Sequence, residues 1–165
     1  MADLFIEHTF AASPADYARL YFDESFSIAL AEGVRIGRTL LRLDRDGPRL
    51  IRHVRCEPVR DLPAPVAKLL AGRAFHYREE IEFDLDANAG RWRVVPSVVP
   101  DKVDASGTLV FTPEGSGVRR TVRGGVSIGL FGVGALVERF VVAEVVRSYE
   151  DAATCTRRLL AERAT

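Results

Sequence analysis

At 165 residues the chain has the length of one domain, and folding at that size removes roughly 70% of the extended chain's surface from water, enough for a real core. A composition of 47% hydrophobic and 28% charged residues excludes a disordered chain and one wholly embedded in a membrane. Lysine plus arginine equals aspartate plus glutamate at 23 each, which removes the global electrostatic argument for a nucleic-acid partner.

Residues 3 to 10 alternate Leu4, Ile6, His8 and Phe10 against Asp3, Glu7 and Thr9, the period of a strand, with Phe5 as the misfit. Acids at Asp3 and Glu7 sit where a signal peptide needs a basic start and an uninterrupted apolar run, so a soluble, cytoplasmic protein is expected. Ser13-Pro14 then reads as a helix cap followed by proline in the first turn. Tyr17, Leu20 and Tyr21 continue at helical spacing, and a second short helix runs from near Asp23 to Gly33.

From Val34 the period changes. Residues 35 to 45 and 49 to 59 read as two strands of a hairpin, turned at Asp44-Arg45-Asp46-Gly47. Residues 62 to 72 hold two prolines, an apolar run and a closing glycine, which predicts a short helical insert able to cap a pocket. The next strand places Phe75, Tyr77, Glu79, Ile81, Phe83 and Leu85 on one face, greasy except at Glu79. Strands around Trp92 and Val94, from Asp101 to Thr112, and from Val118 to about Ile128 complete a meander of four antiparallel strands.

Residues from about 132 to 163 contain no proline and form the longest helical pattern. Val137, Val141, Val142, Val145, Tyr149, Ala152, Thr156, Leu159 and Leu160 share one face, while Leu136 and Phe140 fall on the polar side. Burying both a sheet face and a helix stripe requires the sheet to curl round the helix. The fold class expected is therefore α+β, a helix-grip fold: a curved antiparallel sheet of about seven strands around a long C-terminal helix, with two short helices after the first strand.

This order resembles the START-like superfamily, which includes birch-pollen-allergen-like proteins, polyketide cyclases and lipid-transfer domains. Within it the chain is similar to a bacterial domain-of-unknown-function family through three stretches: Asp23-Glu24-Ser25-Phe26, Asp61-Leu62-Pro63-Ala64-Pro65-Val66-Ala67-Lys68, and Ser127 to Glu138. That family usually turns into its last helix through a proline-hydrophobic-Gly-Gly sequence and carries a Thr-Arg pair near the end, here Thr156-Arg157. This chain departs with Gly129 in place of the proline and Val133 between two glycines. The resemblance covers nearly the whole length and implies one START-like domain over residues 1–165, with a hydrophobic cavity between sheet and helix.

The glycine-rich run from Gly124 to Gly134 is a poor nucleotide loop, because a dinucleotide fingerprint opens a strand-helix-strand unit and here the helix is the last element. Nor does the start of the following helix carry the lysine and serine or threonine of a phosphate loop. The uncharged stretch from Gly124 to Val137 is too short to span a bilayer, and peripheral membrane-surface contact stays open. A hinge from the last strand into the helix is the favoured reading.

Glu79 is the most unusual polar residue, since a carboxylate among apolar neighbours must be paired, protonated or beside a wet cavity. Arg120, inward by parity with Val118 and Val122, is its expected partner across the interior, either as a structural ion pair or as a ligand contact. His8 is expected to hydrogen-bond Tyr149 as a satisfied core group. Cys56 and Cys155 suggest neither a metal site nor a redox pair, and no metal or cofactor is implied by any spacing. The candidate ligand-binding residues are Phe75, Tyr77, Glu79, Trp92, Phe111, Arg120, Phe131 and Phe140, with no catalytic residue assigned. The leading expectation is a protein that binds an apolar small molecule or lipid. The alternatives are a polyketide cyclase or aromatase-like enzyme using Glu79 as an inward acid, and a structural or partner-binding domain with a solid core.

Overall fold

The computed structural model describes residues 1–58, 62 and 64–164. The chain runs β1 (Ala2–Phe10), α1 (Pro14–Tyr21), α2 (Glu24–Val34), β2 (Ile36–Asp46), β3 (Arg49–Pro58), α3 (Ala64–Leu70), β4 (Tyr77–Asp84), β5 (Ala89–Pro96), β6 (Val103–Glu114), β7 (Gly117–Ile128) and α4 (Gly134–Arg163), with a 3-10 turn at Pro100–Lys102. The expected end of the hairpin at Val59, and Asp61 and Pro63 before the insert, lie outside the described residues.

Ser13 caps α1 by accepting a hydrogen bond from the Asp16 amide, with Pro14 opening the helix, and Asp23 caps α2 through the Phe26 amide. The seven strands form one antiparallel sheet in the order β1-β7-β6-β5-β4-β3-β2. Chain order is preserved from β2 to β7, and β1 closes beside β7. This is the helix-grip architecture that the periodicities predict, and α4 packs against β1, β7 and α2.

The concave face has two different ends. At one, Phe10, Tyr17, Phe22, Phe83 and Phe111 are buried together beneath α1 and α2. Their rings stack or meet edge-on, with centroids 5.0 Å apart for Phe10–Tyr17, 4.8 Å for Tyr17–Phe111 and 5.0 Å for Phe83–Phe111, separations at which aromatic pairs attract beyond simple burial. At the other end the inward residues are smaller: Ala105, Val126, Ile128 and Val137. Large rings fill the first end; small side chains leave the second open.

A glycine pair shapes the floor between them. Gly107 and Gly124 face one another across β6 and β7, and Trp92 on β5 is the neighbour of Gly107. The indole reaches over both, and its Nε1 donates to the Thr108 and Arg123 carbonyls at 3.2 Å each. A Cβ on Gly124 would lie 2.5 Å from the indole, so only glycine lets the ring settle on the backbone here.

Candidate functional site

The open end of the sheet holds a cavity of about 270 Å³. Its floor is Trp92, Val94, Val103, Ala105, Val122, Val126 and Ile128 from β5 to β7; its back is Val137, Phe140, Val141, Val145 and Tyr149 from α4; Val66, Leu69 and Leu70 of α3 complete the wall. The insert between β3 and β4 thus lines the cavity. Phe75 and Tyr77, with Glu79, line the side on which β4 begins.

A second cavity of about 170 Å³ lies beside the first. Ile36, Tyr77, Glu79, Ser148 and Tyr149 border both. Its remaining wall mixes Leu30, Ala31, Val34 and Ala152 with the polar groups of Tyr21, Ser27, Arg38, Arg52, Cys56 and Arg120. Arg38 is held in a two-pronged ion pair with Glu24, at 2.7 and 2.8 Å, and that hydrogen-bonded partner keeps the Glu24 carboxyl below its ordinary range.

Arg52 and Arg120 are the buried cations. Arg52 is 5% exposed and donates from Nη1 to the Tyr21 carbonyl at 2.9 Å, with its guanidinium 4.9 Å from the Phe22 ring centre and 5.1 Å from that of Tyr21. Arg120, 1% exposed, donates to the Tyr17 hydroxyl and to His8 Nδ1, each at 3.0 Å, between the rings of Phe10 and Tyr149. Because a guanidinium can only donate, His8 Nδ1 accepts and its hydrogen sits on Nε2. That nitrogen is 3.0 Å from Glu150 Oε1 but out of line for a hydrogen bond.

Burial raises the phenols around these cations. Tyr17 is pushed up to about 12, chiefly by desolvation and partly offset by Arg120. Tyr77 and Tyr149 rise well above the ordinary tyrosine value, again mainly through burial, and Tyr21 rises as well. Burial, then the nearby Glu79 charge, lifts the Cys56 thiol to about 12. At neutral pH these groups are therefore uncharged hydrogen-bonding partners.

Of the candidate residues, the structure brings Phe75, Tyr77, Glu79, Trp92 and Phe140 to the larger cavity, and Arg120, with Tyr77 and Glu79, to the smaller one. Phe111 belongs to the filled aromatic end, because its place on β6 lies opposite Arg120 and under Tyr17. Phe131 is fully exposed on the turn into α4, while its neighbour Leu130 faces inward. The expected Glu79–Arg120 pair is not formed. Two strands, β5 and β6, separate β4 from β7, and Glu79 instead has Arg52 of the adjacent β3 at 3.8 Å. Nor does His8 bond Tyr149, since Arg120 lies between the two.

Arg52 was not among the sequence candidates, yet the signal is the same as for Glu79: Leu50, Arg52 and Val54 share inward parity on β3. Glu138 was missed as well. It is buried in the first turns of α4 and accepts the Ile128 amide at 2.7 Å, which holds its carboxyl below the usual value. The glycine run is the hinge expected of it: β7 ends at Ile128, Gly132 adopts φ +80°, and α4 begins at Gly134. Among the described residues no cluster of histidine, cysteine, aspartate and glutamate could hold a metal ion, and no helix is long and apolar enough to cross a membrane.

A family model described as "Protein of unknown function (DUF2505)" matches residues 6–160. The chain belongs to the DUF2505 family. Among solved structures, this DUF2505 chain is similar to TTHA0849 from Thermus thermophilus, with 20% identity, a TM-score of 0.64 and 99% of each chain covered. It is similar to Ms6760 from Mycobacterium smegmatis at 17% identity and a TM-score of 0.63, over 98% of this chain and 92% of that one. The di-domain ARO/CYC protein BexL, from the BE-7585A biosynthetic pathway, aligns at 12% identity and a TM-score of 0.59, over 96% of this chain and 46% of BexL. These likenesses show the shared fold. Comparison with curated proteins found no match.

Proposed function

We propose that the protein binds a hydrophobic small molecule or lipid in the cavity between the sheet, α3 and the start of α4. The observation that carries this reading is the contrast between the two ends of one concave face. The same sheet that packs rings tightly under α1 and α2 leaves about 270 Å³ with a mostly apolar lining under α3. With the adjoining smaller cavity the space falls in the range of about 300–1,000 Å³ usual for small-molecule sites, and its mostly apolar lining with a few polar groups is the usual composition. The partner-binding alternative depends on a solid interior, and the cavity supports the binding reading over it.

The test is binding of N-phenyl-1-naphthylamine, a neutral dye that brightens in apolar surroundings. Wild-type protein is expected to bind it, with a change in Trp92 emission from the cavity floor. Val126→Phe, which fills the cavity from β7, is expected to abolish the signal. Absence of dye binding by a folded wild-type protein would sink the reading.

A polyketide cyclase or aromatase-like activity is the second reading. It is favoured by Glu79, whose side chain is 28% exposed and borders both cavities, and by the likeness in fold to the ARO/CYC protein BexL. In that reading the carboxylate moves a proton while the neutral Tyr77 and Tyr149 hydroxyls hold substrate oxygens. Turnover of a poly-β-ketone thioester that vanishes in Glu79→Gln would support it, whereas unchanged product profiles with and without protein would exclude it.

A further inference from the structure

The smaller cavity carries an unbalanced charge. Its lining includes three guanidinium groups and, among the described residues, one carboxylate. Glu24 neutralises Arg38, which leaves Arg52 and Arg120 facing Glu79 alone. Neither is well compensated: Glu79 is 3.8 Å from Arg52, and no carboxylate of the described residues lies within ion-pair distance of Arg120. Glu150 approaches only the far side of His8 and is itself 62% exposed. Both arginines are more than nine-tenths buried, and the Nε of each has no hydrogen-bond partner.

Aromatic rings flanking each guanidinium soften this cost, but a ring is not a counter-charge. A buried cation without an anion is among the most expensive arrangements in a protein interior. One negative charge in this cavity would restore balance.

We propose that the smaller cavity, beside Arg52 and Arg120, receives the carboxylate of an amphiphilic monoanion whose apolar body lies in the larger cavity. The inference rests on the hydrophobic-ligand reading above and adds the chemistry of the ligand's head. A single charge matches the excess of one, and Glu79 disfavours a dianion such as a phosphate monoester. Guanidinium forks recognise a planar carboxylate through paired hydrogen bonds. The groups at the junction of the cavities suit the passage from head to body, because Tyr77, Ser148 and Tyr149 border both and offer hydroxyls. Burial holds the two phenols neutral, so they donate to an incoming oxygen instead of repelling it.

The experiment titrates decanoate and methyl decanoate into the full chain by calorimetry, then repeats both with Arg52→Met and Arg120→Met. The two probes share their apolar body and differ in charge. Decanoate is expected to bind at least about tenfold tighter than the ester, the increment of a charge-assisted hydrogen bond, and that preference should shrink in each folded variant. Equal binding of acid and ester by wild-type protein would overturn the anion site while leaving the hydrophobic cavity reading intact. A preference for acid undiminished in the folded variants would place the head elsewhere and overturn it too. Binding of neither probe would overturn both readings. Should the arginine variants fail to fold, the acid-to-ester ratio of the wild type decides alone.

Discussion

Gly124→Ala adds one methyl group where three strands converge under an indole. A Cβ at that position would stand 2.2 Å from the Ser106 carbonyl oxygen, 2.5 Å from Trp92 Cζ2 and 2.9 Å from the Gly107 Cα. The two nearest of these distances belong to a neighbouring backbone and to a ring anchored by two hydrogen bonds, neither of which rotates away. Overpacking of this kind costs about 1–3 kcal/mol, and displacing the indole forfeits hydrogen bonds worth about 0.5–1.5 kcal/mol each. Removing a glycine from a strand returns about 0.5–1 kcal/mol of chain entropy. The net expectation is a loss of about 1–5 kcal/mol, which for a chain of this length lowers the melting temperature by roughly 2–20 °C at about 2–4 °C per kcal/mol. Thermal unfolding by circular dichroism measures the loss, and because the sequence has one tryptophan, its emission reports the ring directly. An unchanged melting temperature together with an unchanged emission maximum would refute the close approach of indole to backbone.

Alkaline pH should unfold the protein steeply. Tyr17 has its folded pKa near 12 against an ordinary 10.0, so its stabilising contribution is complete below pH 10 and is lost as pH rises toward 12, about 3 kcal/mol over that window. Tyr21, Tyr77 and Tyr149 are raised in the same direction, and tyrosinate absorbance that appears only together with unfolding is the expected record. Glu138→Ala should expose the Ile128 amide to hydrogen exchange, because the carboxylate is its acceptor; in wild-type protein the same protection should be lost as pH falls below the ordinary carboxyl range, since the folded group is shifted downward. Cys56, with its thiol near 12, should resist iodoacetamide at pH 8 in the native state and react once unfolded, as mass spectrometry of the labelled peptide will show. Rapid native labelling at Cys56 would contradict the burial described.

Order of elements was legible from periodicity because each strand and helix has its own repeat and its own punctuation. Ser13-Pro14, Asp23 and Gly47 mark boundaries chemically, and the α4 stripe is long enough to be unmistakable. Pairings across the interior were not legible to the same degree. Parity says that Glu79 and Arg120 face inward, but only strand order says that β3, not β7, adjoins β4. The same limit explains Phe111 and Phe131. Inward parity does not distinguish the filled end of a concave face from the open one, and a phenylalanine in a glycine turn has no parity to follow.

The two ends of the concave face divide the molecule's obligations. Large aromatic rings pack under α1 and α2, away from the wall of the larger cavity. Side chains such as Val94, Ala105, Val126 and Val141 set the size and shape of that cavity. A scaffold of this kind can change the shape of its cavity by exchanging a few aliphatic groups, and redesign of the cavity should begin with these four positions.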